Sequence, residues 1–165
     1  MTPKQMVKML RRLINDEQAT GFTDGGNLEE PEGTQELLHY LDRAIEEYSK
    51  KQAAQGDMRL VKRLTVTANT AIPDDFLTFC GQVPLSVENS ALTYYGESAL
   101  PIKYFARLPY ITEYGDDDEL PYEHDAEMYI LSLAAIYALN KHEYNVTQDL
   151  ALLGYGVSSN GNAGQ

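Results

Sequence analysis

"EHDAEMYILSLAAIYALNKH", residues Glu123–His142, decides how the rest of the chain is read. Apolar or amphipathic side chains recur at Ala126, Tyr129, Ile130, Leu133, Ile136, Tyr137 and Leu139, the spacing of a helix that buries one side. Ala134, Ala135 and Ala138 add small side chains that let a second helix approach closely. The pattern predicts a helix over 123–142 at the core of the fold.

Immediately before it, "ITEYGDDDELPYEHDAEMY" (Ile111–Tyr129) packs Asp116, Asp117, Asp118 and Glu119 together, with Glu123, His124 and Asp125 close behind. A calcium loop needs oxygen ligands at alternating positions, a central glycine and a later glutamate. Here the acids are contiguous and run into Leu120 and Pro121. The stretch reads as a solvated turn whose last acids suit the positive end of the helix dipole. His124 has no second histidine at zinc-ligand spacing, and His39 and His142 lack acidic or cysteine partners at such spacing. Cys80, the only cysteine, lies in an apolar strand, where a thiol acts as a small hydrophobe. It leaves neither an intrachain disulfide nor a cysteine zinc site. "DGGN" (Asp24–Asn27) lacks the Lys and Ser/Thr of a phosphate loop, and no serine sits in a nucleophile elbow. The expectation is a chain without catalytic, cofactor or metal residues.

Further upstream the pattern changes twice. "RLTVTANTAIP" (Arg63–Pro73) alternates Leu64, Val66 and Ala68 against Arg63, Thr65 and Thr67, as a half-buried strand does. "FLTFCGQ", "ALTYYG" and "PIKYFAR" read as further short strands, three to five in all, with links too short for crossover helices, so the pairing is mostly antiparallel. Before them, Leu37, Leu38, Leu41, Ala44, Ile45 and Tyr48 stripe a helix over 34–55 that Gly56 stops. At the start, Thr2 caps and Pro3 opens a helix over 2–16, with Met6, Met9, Leu10, Leu13 and Ile14 on its apolar side. Lys4, Lys8, Arg11 and Arg12 form its basic flank. The glycine-rich stretch 17–33 is a loop. After the long helix a short one is expected over 147–153, followed by an extended tail, 154–165, with little to bury.

The 165 residues carry a formal charge of −12, twelve tyrosines and no tryptophan. That size suits one domain with a modest core. The acidic balance opposes a phosphate-gripping surface and docking on an anionic membrane leaflet. No apolar run reaches membrane-spanning length, and no signal-peptide core stands at the start, so synthesis and residence in a reducing cytosol are expected. The expected fold is α+β and mainly helical. It is a bundle of three to four helices in one domain, 1–153, with a small antiparallel β-sheet or hairpin inserted over about 60–108.

One resemblance orders these pieces. "AIPDDFL" (Ala71–Leu77), "PIKYFARLPYIT" (Pro101–Thr112), the acidic turn, "LPYEHDAEMYILSLAAIYAL" (Leu120–Leu139) and "EYNVTQDLALL" (Glu143–Leu153) follow one another. The series resembles the head-to-tail adaptor (connector) proteins of tailed bacteriophages over roughly 34–153. Phe76, Tyr104, Phe105, Arg107, Pro109, Pro121, Tyr122, Ala126 and Tyr144 carry the match. The resemblance implies a non-enzymatic virion protein, made in the host cytoplasm and resident at the head–tail junction. It implies a homo-oligomeric ring, commonly of twelve subunits, that binds the portal protein and a downstream tail protein. Such a ring extends the channel for genomic DNA, which it meets only transiently and without sequence preference, and it touches no membrane. Tyr94, Tyr95, Phe105, Arg107 and Tyr110 are candidate interface anchors, with Tyr155 and Val157 on the tail as candidate portal contacts and the basic flank of the first helix facing an acidic neighbour. Two other classes stand beside this one: a small assembly chaperone or interaction module, and a metal-dependent hydrolase using the acids between Asp116 and Asp125.

Overall fold

The computed structural model describes residues 1–15, 33–96 and 98–140. Among them are three α-helices: α1 (Pro3–Leu13), α2 (Thr34–Ala54) and α3 (His124–Asn140). There are six strands: β1 (Val61–Val66), β2 (Thr70–Ala71), β3 (Phe76–Phe79), β4 (Ser86–Glu88), β5 (Ala91–Thr93) and β6 (Leu100–Ala106). The short helix expected over 147–153, the tail and nearly all of the 17–33 loop lie outside the described residues.

The expected helix bundle with one small inserted sheet is overturned. The strands build two three-stranded antiparallel sheets, ordered β1-β6-β3 and β2-β5-β4. The described chain divides into two compact units. Residues 1–44 and 111–140 belong to one, and residues 45–110 form the other, so the boundary falls inside α2. The sequence pattern under-reads the sheets because β2 and β4 are two and three residues long, too short for alternation to register. Ala68, expected on the buried side of one long strand, is exposed, because β1 ends at Val66 and the chain turns.

In the first unit, α1 is held at its start by a reciprocal cap. The Gln5 amide donates to Thr2 Oγ1 at 3.3 Å while the Thr2 amide donates to Gln5 Oε1 at 3.0 Å, and Pro3 sits where no amide is needed. Its buried stripe is Pro3, Met6, Val7, Leu10 and Arg11. The expected stripe was turned too far round, since Leu13 is 45% exposed. Position 11 falls on the buried side, four residues after Val7 and eight after Pro3. Arg11 therefore leaves the basic flank, and its guanidinium Nη2 donates to Thr34 Oγ1 at 2.9 Å. α1 packs on α3. That helix is buried nearly all round, with Ile130, Leu131, Leu133 and Ala134 fully enclosed, the signature of a core helix. Asp42 on α2 anchors the chain ahead of α3: it accepts the Ile111 amide at 2.8 Å and the Thr112 hydroxyl at 2.6 Å.

The second unit begins with the end of α2. Gly56, at φ 77°, lets Asp57 N–H reach Gln52 C=O and Gly56 N–H reach Ala53 C=O, both at 3.0 Å. That paired closure needs a left-handed residue. One apolar cluster, Ala53, Leu60 and Phe105 with Val61, Leu77, Cys80 and Leu108, covers one end of one face of the β1-β6-β3 sheet. The opposite face contributes Val66 and Ile102 to a second cluster, where they meet Leu92 of the other sheet. β4 and β5 are joined by Asn89 and Ser90, both at positive φ (49° and 62°), the twist-matched two-residue hairpin turn.

Candidate functional site

The "PDDF" within Ala71–Leu77 and the "YFARLP" within Pro101–Thr112 lie about thirty residues apart and meet at one corner of the second unit. β3 and β6 are antiparallel neighbours with Phe79 opposite Tyr104. Phe76 stacks on the Tyr104 ring at 5.5 Å with planes 26° apart, and Phe79 sets its edge against Phe76 at 4.9 Å, both favourable ring geometries. Asp75 is the polar centre of this corner. Its carboxylate accepts the Tyr104 hydroxyl at 3.1 Å and also the Lys62 ammonium from β1. Its backbone carbonyl accepts the Arg107 amide at 2.6 Å. Arg107 then lies over the Tyr110 ring, 3.3 Å from its centre, and donates through Nη1 to Leu108 C=O at 2.7 Å. Nearby, Ser49 of α2 accepts the Leu108 amide at 3.1 Å and donates to Ile45 C=O at 2.7 Å.

Burial, then the hydrogen bond to Asp75 and that carboxylate's charge, push the Tyr104 hydroxyl from its ordinary 10.0 up to about 12. The unfolded phenol ionises at its ordinary value. The stabilisation is therefore complete below about pH 10 and is lost as the pH climbs through the folded-state value, a change of about 2–3 kcal/mol. Urea unfolding of the wild type should weaken over this window by more than that of Tyr104→Phe, which keeps the ring stack and removes the proton. The comparison separates the phenol from Lys62, which bonds the same carboxylate and is unchanged in both proteins. Equal losses in the two proteins would refute the assignment.

The acidic turn belongs to the first unit and is tied down by backbone. Lys4 N–H donates to Asp116 C=O at 3.2 Å, Leu120 N–H to Met1 C=O at 3.0 Å, and Gly115 N–H to Asp118 Oδ2 at 2.8 Å. Asp117, Asp118 and Glu119 face solvent. Among the described residues no three His, Cys, Asp or Glu side chains converge as metal ligands would. His124 is 78% exposed and stands 3.7 Å from Glu127, whose buried carboxylate pairs with the amino group of Met1. Burial raises the Cys80 thiol above its ordinary value, with Lys103 opposing, the direction of an unreactive cysteine.

The candidate anchors divide sharply. Phe105 is buried in the first apolar cluster and Tyr94 packs against the second. Arg107 and Tyr110 are half-buried and engaged with each other; the Tyr110 hydroxyl also lies 3.5 Å from Glu46. Glu46 sits below the usual carboxylate range, chiefly through its bond from Lys50. Tyr95 alone of these is open, 74% exposed, with its hydroxyl donating to Glu88 at 2.6 Å. That bond raises its pKa. On α1, Lys4 and Lys8 are half-buried and Arg12 is exposed. Tyr155 and Val157 lie outside the described residues. Asp75, Asp42 and Ser49 were missed by sequence reasoning. Asp75 had a signal in the "DDF" preceding a strand; nothing around Asp42 or Ser49 sets them apart from other polar residues of a helix.

No protein-family model, curated protein or solved structure matches this chain. No helix among the described residues is long and apolar enough to cross a membrane.

Proposed function

We propose that the chain is a head-to-tail adaptor: a non-enzymatic subunit that closes into a ring between portal and tail and prolongs the DNA channel. The observation that carries this reading is the Asp75 corner. Two of the stretches that carry the resemblance, Ala71–Leu77 and Pro101–Thr112, make three direct contacts with each other: the ring stack, the Tyr104–Asp75 hydrogen bond and the Arg107–Asp75 backbone bond. Residues that act as one packed unit support a shared motif better than a scatter of matching letters, because each constrains the others' identity. Phe105, Tyr122 and Ala126, three more of the matching residues, are buried and belong to the packing of their units. The acidic balance suits a channel through which DNA slides, since retention of a duplex requires many cationic phosphate contacts.

Electron microscopy of the purified chain mixed with the portal ring from the same genome tests the proposal. The expected image is a continuous collar of added density on the tail-facing end of the portal. Portal rings that stay bare at saturating chain concentration would refute it.

A further inference from the structure

We infer that the open face of the β1-β6-β3 sheet, marked by Arg63 and Lys103, receives the acidic turn holding Asp117 and Glu119 from a second copy of this chain. The inference rests on the ring reading and deepens it by naming the subunit contact.

Arg63 and Lys103 are directly opposed partners in the antiparallel β1–β6 ladder. Directly opposed residues put their side chains on the same face, with Cβ atoms about 5 Å apart, and like charges so placed repel. Both side chains are exposed, and no described residue supplies either with a hydrogen bond or ion pair. Guarding a sheet edge against wrong pairing explains a charge on β1. It does not explain Lys103, because β6 is the central strand. Nor is this face covered by the protein's own core. Ala53 and Leu60 cover it at Val61 and Phe105, the next pair on that face, and the same cluster reaches as far as half-buried Cys80 beside Lys103; Thr65 and Pro101, on the other side of the charged pair, are exposed.

The complement lies on the other unit. Residues 45–110 hold seven basic and seven acidic side chains, so the whole charge of −12 resides in the remainder of the chain. Within that remainder the acidic turn is held in place by its backbone bonds to Met1 and Lys4, so it loses little freedom on docking. Asp118 is occupied with the Gly115 amide. Asp117 and Glu119 are exposed and, among the described residues, have no partner. Two unneutralised cations on one unit and two unneutralised anions on the other make a contact between copies heterologous. Each added copy then leaves one of each surface open until the series closes on itself.

Sedimentation equilibrium of the full chain at low and high salt tests this with two charge-reversed proteins, Arg63→Glu/Lys103→Glu and Asp117→Lys/Glu119→Lys. Each alone should associate at least about tenfold more weakly than the wild type at low salt, and the wild type should weaken similarly at high salt. An equimolar mixture of the two should recover association, because every mixed contact again opposes unlike charges. Either reversed protein associating like the wild type, a mixture that stays dissociated, or a wild type that remains monomeric would overturn the contact. Carbodiimide crosslinking of mixed ¹⁵N-labelled and unlabelled wild type provides a reading without mutants. Heavy–light peptides joining Lys103 to Asp117 or Glu119 support it; joins confined within one isotope overturn it. Loss of duplex binding in Arg63→Glu/Lys103→Glu, with association unchanged, would assign the face to nucleic acid instead. Portal binding with swap-insensitive association would leave the adaptor reading standing and remove this contact. Swap-dependent association without portal binding would do the reverse.

Discussion

Leu133→Asp should yield a chain with no cooperative unfolding transition in its first unit. Leu133 is fully buried at the middle of α3, beside Ile130, Leu131 and Ala134, which are equally enclosed. A carboxylate there must either stay charged among apolar side chains or take up a proton at the cost of a buried polar group, and either cost, added to the lost packing, is a large fraction of a domain's margin of stability. Thermal melts followed by circular dichroism, together with solubility, give the readout. The milder Leu133→Ala removes the packing without adding charge and should cost about 2–5 kcal/mol. A soluble Leu133→Asp protein that melts as sharply as the wild type would show that α3 is not the core.

The second large effect is expected from Phe105→Ala, which should destabilise the second unit by about 3–5 kcal/mol. The ring is 9% exposed and fills the cluster bounded by Ala53, Leu60, Leu77, Cys80 and Leu108. Residues opposite it on both neighbouring strands, Val61 and Thr78, depend on the same stretch of β6. Amide hydrogen exchange should therefore show the loss across β1, β3 and β6. A Phe105→Ala protein with unchanged exchange but impaired portal binding would return Phe105 to the role of an interface anchor.

The helices were legible because long periodic runs carry redundant information. In α2, all six of the stripe residues named from the sequence are buried, from Leu37 to Tyr48, and Gly56 ends the helix region as its position implies. α1 shows the limit of periodicity. Met9 and Leu13 are as apolar as Val7, and only the neighbouring helix determines which side turns inward. The cost of that ambiguity was Arg11, read as a surface cation and found 1% exposed. The sheets were legible as antiparallel strands but not as two layers, since strands as short as β2 are defined by their partners more than by their own side chains. The Asp75 corner was half legible. "PDDF" and "YFARLP" are visible as motifs, but no local rule brings Asp75 to Tyr104; the β3–β6 register does that. Arg63 and Lys103 were invisible as a pair for the same reason, being forty residues apart in the chain and opposite each other in the ladder.

The division of the chain also sets an order of events during synthesis. Residues 45–110 are contiguous, so every strand of the second unit is available as soon as β6 has been made. The first unit is interrupted by that whole segment. Met6, Val7 and Leu10 leave the ribosome early, yet α3, against which α1 packs, begins only at His124. At a translation rate of ~5–20 residues per second, the apolar side of α1 waits roughly 6–23 s for its partner. Through that interval the nascent chain carries the unpartnered apolar side of α1, joined only near its end, once Ala106 has been made, by a complete inner segment; that is the species on which a holding chaperone would act.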